Sequence, residues 1–182
     1  LELLRMLGLN VETASPDIDE SAVEADSPSH LAEKLAKTKA EKVYRDLHPE
    51  GCPVVAADTL VEIGGKILGK PRSVAEAGEM LRMLSGNLHY VHTGLAVIYS
   101  GTFASAVETA TVHFRELSDD EIESYIMSGE PMDKAGAYGI QGRAGAFVDR
   151  IEGDFFSIVG LPLCRLVTLL RNTMGLTLSD MK

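Results

Sequence analysis

The stretch that decides the predicted fold runs from residue 52 to residue 71 and reads CPVVAADTLVEIGGKILGKP. Its early part, Pro53 to Ala57, is a short apolar run typical of a buried strand. Two polar residues, Asp58 and Thr59, follow at once and are expected to lie just past the end of that strand. The stretch therefore predicts a buried strand that delivers a carboxylate to its end.

The second half of this stretch predicts a β-hairpin. Residues 60–63 and 66–68 are suited to strands, and the Gly64-Gly65 pair between them suits a tight turn. If these strands pair, the hairpin brings the ammonium group of Lys70 near the carboxylate of Asp58. Carboxylate and ammonium would then share one site.

Before this stretch, residues 27–47 form a strong predicted helix, with Ser27 as its cap and Pro28 in the first turn. Lys39 interrupts the apolar stripe of this helix. Two interpretations of Lys39 stay open on the pattern alone, a functional ammonium group or a lysine whose alkyl stem packs on the core while its charge reaches water.

The remaining pattern alternates helices with strands. Helices are predicted at the chain start and over segments opening at Ser73, Ser118 and Gly160, and two or three antiparallel strands over residues 89–117, with another strand within 146–158. We expect an α/β fold in which flanking helices cover a long mixed sheet. One domain over residues 1–182 is expected, in two lobes with the substrate cleft between them.

Composition narrows the classes of function. The chain has 182 residues, 45% of them hydrophobic, and a net charge of −10, which argues against binding of long nucleic acid. Its apolar runs stay short of the roughly 20 residues of a membrane helix. Cys52 and Cys164 stand far apart and outside zinc-type spacing, so a reducing cytoplasm is the expected compartment.

A glycine-rich segment over residues 129–145, GEPMDKAGAYGIQGRAG, predicts a site loop. It has too many glycines for a helix and too many polar groups for a plain buried turn. Its backbone amides can donate to phosphate oxygens. Hydrolysis of a phosphoanhydride needs cations, a metal and a carboxylate, and the chain supplies these residue types in Asp58, Lys70, Lys39, Lys134 and Glu20.

Asp58 and two histidines also have an ordinary structural interpretation. An Asp after a strand can cap a helix or form a turn, so Asp58 alone is only modestly specific. His89 and His92 could form a metal pair, but ordinary strand positions explain them better, and neither is assigned a catalytic role.

Taken together, the motifs resemble the Maf-like nucleoside triphosphate pyrophosphatases, also called septum formation proteins. The resemblance covers nearly the whole chain, in family order and spacing. The motifs that carry it are LELLRMLGL at the start, the segment from Asp17 to Glu20, LAKTKA, AADT, LGKP, LSGNLHYVHTG, GEPMDKAGAYGIQG and GDFFSIVGLP.

This resemblance implies a reaction and roles for the residues. The α–β phosphoanhydride is hydrolysed, releasing a nucleoside monophosphate and pyrophosphate, with Mg²⁺ or Mn²⁺ as cofactor. Asp58 is implied as proton acceptor or metal ligand, and Glu20 as a second metal ligand. Lys39 and Lys70 join them in catalysis, and Lys134 is implied as a phosphate contact.

Two further residues indicate the substrate. Thr59 after the catalytic Asp, together with Gln141 in the IQG motif, resembles the branch of the family that acts on dTTP and UTP. An amide satisfies the mixed donor and acceptor edge of a pyrimidine. Modified pyrimidine nucleotides are a related possibility that differs only in the base pocket.

The resemblance also leaves alternatives. Family members begin with a strand and a Ser-rich loop ending in paired arginines, and this chain starts after that point, so a truncated N-terminus with its first strand and a phosphate-binding Arg missing is expected. A non-catalytic nucleotide-binding regulator of septum formation is the rival function. The expected partners are a nucleoside triphosphate and, in a homodimer, a second copy of the chain.

Overall fold

The computed structural model describes residues 1–177 and 180 of the chain. Six helices and five strands are found in this part, and their bounds are as follows: α1 Glu2–Met6, α2 Pro28–Leu47, β1 Val54–Ile63, β2 Lys66–Leu68, α3 Val74–Leu84, β3 Leu88–Tyr99, β4 Thr102–Phe114, α4 Asp119–Met127, β5 Val148–Glu152, α5 Phe155–Val159 and α6 Leu163–Met174. Short 3-10 turns lie between α4 and β5.

The five strands form one sheet in the order β2-β1-β3-β4-β5. The predicted hairpin is confirmed, because β1 and β2 pair antiparallel with Val61 opposite Leu68 and Ile63 opposite Lys66. The α/β class with helices flanking a sheet is also confirmed. The sheet itself is antiparallel, where a mixed sheet was expected. Two-residue connections join β1 to β2 and β3 to β4, and connections this short allow only antiparallel pairing.

One strand boundary differs from the prediction. The first strand was expected to end at Ala57, but β1 continues through Asp58 and Thr59 to Ile63 without a break. A polar side chain does not end a strand when its alternate position gives it a partner, and Asp58 has an ion-pair partner in Lys39. The carboxylate therefore projects from the middle of a strand.

The chain divides into two compact units, and the first contains residues 1–58, 93–108 and the segment from Gly160 onward. Here α2 begins after Ser27, whose hydroxyl accepts a hydrogen bond from the His30 amide, as the sequence predicted. The helix packs so closely on β3 that a Cβ on Gly94 would overlap the backbone of Ala32. The apolar core beneath this helix consists of Ala36, Ala40, Val54, Ala96 and Ile98.

The second unit contains residues 59–92 and 109–159. Its core joins α3 and α4 to one face of the sheet, with Leu81, Val91, Val112, Ile122 and Tyr125 among its buried members. The α4 helix starts with a complete capping box between Ser118 and Glu121. That the two units form one domain stays a prediction.

Within residues 1–177 and 180, every helix is too short or too polar to cross a membrane.

Candidate active site

The candidate site in the first unit is built around the ammonium group of Lys39. Its Nζ atom lies 2.7 Å from Oε1 of Glu20 and also donates a hydrogen bond to Oδ1 of Asp58. Three of the residues predicted to act in catalysis are therefore joined directly. A single cation links two carboxylates that are 38 residues apart in the sequence.

Helix and strand periodicity explain why these side chains meet. On α2, Lys39 follows the buried Ala36 by three positions, which places it beside the face that packs on the sheet. On β1, Val54 belongs to the core under this helix and Ala56 packs against it. Because side chains alternate along a strand, Asp58 projects from the same face as these two residues and so reaches Lys39.

The surroundings of Lys39 decide between its two open interpretations. Burial by itself lowers the pKa of a lysine, but hydrogen bonds to Asp58 and Glu20 outweigh it, and the pKa of Lys39 is raised above its usual value. A lysine that only carried its charge to water would lack such partners. The ammonium group is instead engaged with two carboxylates in a half-buried position.

Glu20 reaches this cluster from a single 3-10 turn over Glu20–Ala22. Asp19 precedes the turn and accepts hydrogen bonds from the Ser21 amide at 3.0 Å and from the Ser21 hydroxyl at 2.6 Å. The Ser21 hydroxyl and amide lower the pKa of Asp19, so its carboxylate stays charged as a cap. The turn is stabilised locally and presents Glu20 to Lys39.

The oxygen atoms of Glu20 and Asp58 suit a divalent metal in type. Among the residues that the structure describes, no group of three or more His, Cys, Asp or Glu side chains is arranged to hold a metal ion. Mg²⁺ differs from zinc in this respect, since it is commonly held by one or two carboxylates together with substrate phosphates and water. Two carboxylates that converge on one cation fit this kind of site.

The second unit contains a candidate cluster of its own, in the glycine-rich loop of residues 129–145. Lys134 is partly exposed and its Nζ atom lies 2.6 Å from Oδ1 of Asp133. The pKa of Asp133 is lowered, first by its hydrogen bond to Lys134 and also by the charge of Lys70. Lys70 and Lys134, both predicted to act on the substrate, therefore lie in one electrostatic neighbourhood.

A backbone contact explains how Lys70 comes to this loop. The β1–β2 pairing ends at Val61 and Leu68, and the carbonyl of the next residue, Gly69, accepts a hydrogen bond from the Gly136 amide at 3.1 Å. The LGKP turn is thus tied to the glycine-rich loop. Within the second unit, the hairpin delivers Lys70 to Lys134.

The loop contains unusual backbone conformations. Gly136 has φ of 68° and Ala137 follows with φ of 61°. A non-glycine residue in this region carries strain of roughly 1–3 kcal/mol, and such residues concentrate at functional sites. Ala137 is fully buried, so packing holds the strained conformation in place.

The two residues that indicate the substrate, Gln141 and Thr59, lie at different kinds of position. Gln141 is exposed, within the glycine-rich loop. Thr59 lies in β1 next to Asp58 and therefore projects from the opposite face of that strand. The exposed amide of Gln141 is available to a ligand, and a role for Thr59 stays a prediction.

The two histidines considered at the sequence level occupy ordinary strand positions in β3. They are three residues apart and so project from opposite faces. His89 is fully buried, with its Nε2 atom 2.8 Å from the Tyr138 hydroxyl. His92 contacts the Thr109 hydroxyl through Nδ1 at 2.9 Å. They do not converge as a metal pair.

Sequence reasoning missed two residues that organise the loop. Tyr125 on α4 and Glu130 at the start of the loop are hydrogen-bonded at 3.0 Å, and each also contacts loop backbone. The signal for Glu130 was present in the GEP motif, where a carboxylate opens a glycine-rich segment. Tyr125 resembled a core aromatic residue of an amphipathic helix and gave no separate signal.

The chain is similar to known proteins over most of its length. A family model described as Maf-like protein matches residues 1–173. A protein of Symbiobacterium thermophilum named dTTP/UTP pyrophosphatase is 48% identical over 169 residues, covering 93% of this chain and 86% of that protein. A protein of the same name from Salmonella typhimurium is 45% identical over 169 residues, covering 93% of this chain and 85% of that protein.

A third relative, from Geobacillus sp. (strain WCH70), is also named dTTP/UTP pyrophosphatase and is 49% identical over 166 residues, covering 91% of this chain and 88% of that protein. The α/β fold is the one that the resemblance implied. The chain belongs to the Maf-like protein family.

Proposed function

We propose that this protein is a nucleoside triphosphate pyrophosphatase that hydrolyses dTTP and UTP to the monophosphate and pyrophosphate. The observation that carries the proposal is the bridge from Lys39 to Asp58 and Glu20, in a chain nearly half identical to relatives of that name. A half-buried carboxylate held by an ammonium group is suited to handle a proton or a cation beside a polyphosphate.

In this proposal Asp58 accepts the proton of the attacking water, and the oxygen of that water forms the new bond to the α-phosphorus as the bond to the pyrophosphate oxygen breaks. Lys39 donates a hydrogen bond to the Asp58 carboxylate and so fixes its orientation. Pyrophosphate leaves as an anion, and the positive charges of Lys70 and Lys134 offset the charge that develops on it.

Glu20 and Asp58 are the residues that would hold Mg²⁺ or Mn²⁺. A divalent ion supplies charge neutralisation for the phosphate oxygens. Lys39 lies between the same two carboxylates, and its ammonium group keeps them close together. The carboxylate pair would then serve two cations in one neighbourhood.

The proposed preference for pyrimidines rests on Gln141. An amide offers one acceptor and two donor hydrogens, which matches the mixed edge of uracil or thymine. The exposed position of Gln141 in the loop supports this role. Modified pyrimidine nucleotides are included in the proposal, because an exposed amide reads the hydrogen-bonding edge and leaves other ring positions unread.

The proposed compartment is the cytoplasm, and the exposed thiols of Cys52 and Cys164 support a reducing environment. The nucleotide is the proposed partner. A homodimer and a connection with septum formation also remain proposals from the family resemblance.

The test is a pyrophosphate-release panel. Purified protein, with Mg²⁺ or Mn²⁺ present, is incubated with each common ribonucleoside and deoxyribonucleoside triphosphate, and pyrophosphate and orthophosphate are measured separately. We expect pyrophosphate from dTTP and UTP at rates well above those from purine nucleotides. Orthophosphate as the first product would place the cleavage at another bond. Tight binding without any release would instead favour the nucleotide-binding regulator.

A further inference from the structure

The backbone around Gln141 is held in a closed ring of hydrogen bonds. The Gly142 amide donates to the Gly139 carbonyl at 3.0 Å, which closes a turn with Ile140 and Gln141 at its centre. The Gly139 amide donates to the Tyr125 hydroxyl at 3.1 Å. At the other end of the turn, the Arg143 amide donates to Oε2 of Glu130 at 3.2 Å.

The two anchors of this turn are bonded to each other. The Tyr125 hydroxyl donates to Oε1 of Glu130 at 3.0 Å, so Tyr125 acts as donor and acceptor at once. Burial raises the pKa of Tyr125, and the hydroxyl therefore remains a donor at every working pH. Glu130 accepts from one partner on each oxygen, an arrangement that an amide cannot reproduce because its nitrogen cannot accept.

Packing closes the remaining space around this carboxylate. A Cβ on Gly142 would overlap the Glu130 carboxyl group, although the backbone of Gly142, with φ of −99°, is open to any residue. A side chain at position 142 would therefore push the Glu130 carboxylate out of its position. Tyr125 itself is buried in the core of the second unit, which gives the ring a rigid base.

We propose that Tyr125 and Glu130 are positioning residues that set the nucleotide preference by holding the turn that carries Gln141. This inference rests on the proposed function and deepens it. An exposed amide at the tip of a free glycine-rich loop would sample many orientations and would read the base poorly. Two anchors restrict the turn, and the amide then meets the base in one orientation.

Three variants test the inference. Glu130→Gln breaks one hydrogen bond of the ring, and Tyr125→Phe removes two. Gly142→Ala displaces the Glu130 carboxylate while both anchor side chains keep their chemical identity. For each, kcat and KM are measured with UTP and with GTP. We expect the ratio of kcat/KM for UTP to kcat/KM for GTP to fall about tenfold, because KM for UTP rises. The kcat for UTP should change by less than about threefold.

The matched control is Glu123→Gln, at an exposed position on α4, the helix that also carries Tyr125. This change should leave the preference for UTP unchanged. Combining Glu130→Gln with Gly142→Ala should add little to either single change, because both break the same contact. Variants that melt at lower temperature but keep the wild-type UTP preference would overturn the inference, since they would show a role in folding only.

Equilibrium binding separates this inference from the proposed function. The same variants are titrated with the α,β-methylene analogues of UTP and GTP, which resist cleavage. If the wild-type protein prefers the UTP analogue without hydrolysing UTP, the proposed activity fails while the loss of preference in the variants still supports the positioning role. Variants that bind each analogue with the same affinity as the wild-type protein would overturn the positioning role.

Discussion

Asp58 and Lys39 form an ion pair in which the carboxylate is the more buried partner, with side chains 11% and 22% exposed. Glu20, the second partner of Lys39, is 56% exposed. Asp58 therefore depends on Lys39 for charge compensation far more than Glu20 does, because water solvates the outer carboxylate. Asp58 is thus the inner carboxylate, compensated by Lys39, and Glu20 is the outer, solvated one.

Replacing Asp58 with Asn should lower kcat for dTTP and UTP by at least about a hundredfold, since a general base commonly contributes that much or more. Asn keeps the shape of the side chain but cannot take a proton from water. Pyrophosphate release measures the loss, and nucleotide binding should persist. Asp46→Asn, in the exposed Lys42–Asp46 pair on α2, is the control; equal turnover in Asp58→Asn and wild type would refute the role of Asp58.

Replacing Lys39 with Met should destabilise the protein by about 1–3 kcal/mol, because the half-buried Asp58 carboxylate loses the ammonium group that donates to it. Denaturant unfolding gives the free energy. Lys42→Met on the same helix should cost less than about 1 kcal/mol, as is usual for exposed pairs. The Lys39→Met penalty should shrink when Asp58 is already Asn, and a fully additive double variant would show that the two side chains are not coupled.

Removing the metal should stop turnover. We expect a chelator to abolish pyrophosphate release and added Mg²⁺ or Mn²⁺ to restore it, because phosphoryl transfer needs the developing charge neutralised. Glu20→Gln should raise the Mg²⁺ concentration that gives half-maximal activity by about tenfold, with Glu12→Gln, another exposed glutamate in the first unit, as control. An unchanged Mg²⁺ dependence in Glu20→Gln would remove Glu20 from the metal site.

Acid should destabilise the protein partly through His89. Burial lowers the pKa of His89 from 6.5 to about 4, so the unfolded chain binds a proton that the folded protein refuses between these values. Stability should therefore fall as pH drops from about 6.5 and level off near 4. At about 1.4 kcal/mol for each pKa unit, the gap of about 2.5 units corresponds to about 3 kcal/mol.

The measurement compares unfolding free energies at pH 7.5 and 4.5. A His89→Leu variant should lose less stability than wild type over this interval, by about 2–3 kcal/mol, because Leu does not titrate. His48→Asn is the control, since His48 is exposed and Asn tolerates its left-handed backbone. Parallel pH profiles for wild type and His89→Leu would contradict the assignment.

Local chemistry in the sequence predicted most of the secondary structure. The helix after Ser27, the Gly64-Gly65 hairpin and the capping box at Ser118 all depend on interactions within a few residues, and the structure contains each of them. The end of the first strand was predicted wrongly at Ala57. Whether a polar residue such as Asp58 ends a strand depends on a partner that is distant in the sequence.

The candidate residues were found by type and motif, and the resemblance grouped Lys39, Lys70 and Glu20 with Asp58, but the individual contacts could not be predicted. Only the packing of α2 on the sheet joins Lys39 to Asp58 and Glu20, and only the contact between Gly69 and Gly136 brings Lys70 to the loop of Lys134. Tyr125 and Glu130 became visible as anchors of that loop through their hydrogen bonds alone.

Sequence pattern alone predicted the hairpin, the family, the residue types for phosphate chemistry and the helices other than α5, because turns, caps and motifs are set by near neighbours. The helix α5, Phe155–Val159, lies where a strand was expected. The tertiary structure decided which carboxylate shares which ammonium group, and how the turn with Gln141 is held. Apart from the bond between Tyr125 and Glu130, those contacts join residues 13 or more positions apart. A one-dimensional pattern carries no distance between such residues until helices and strands have packed.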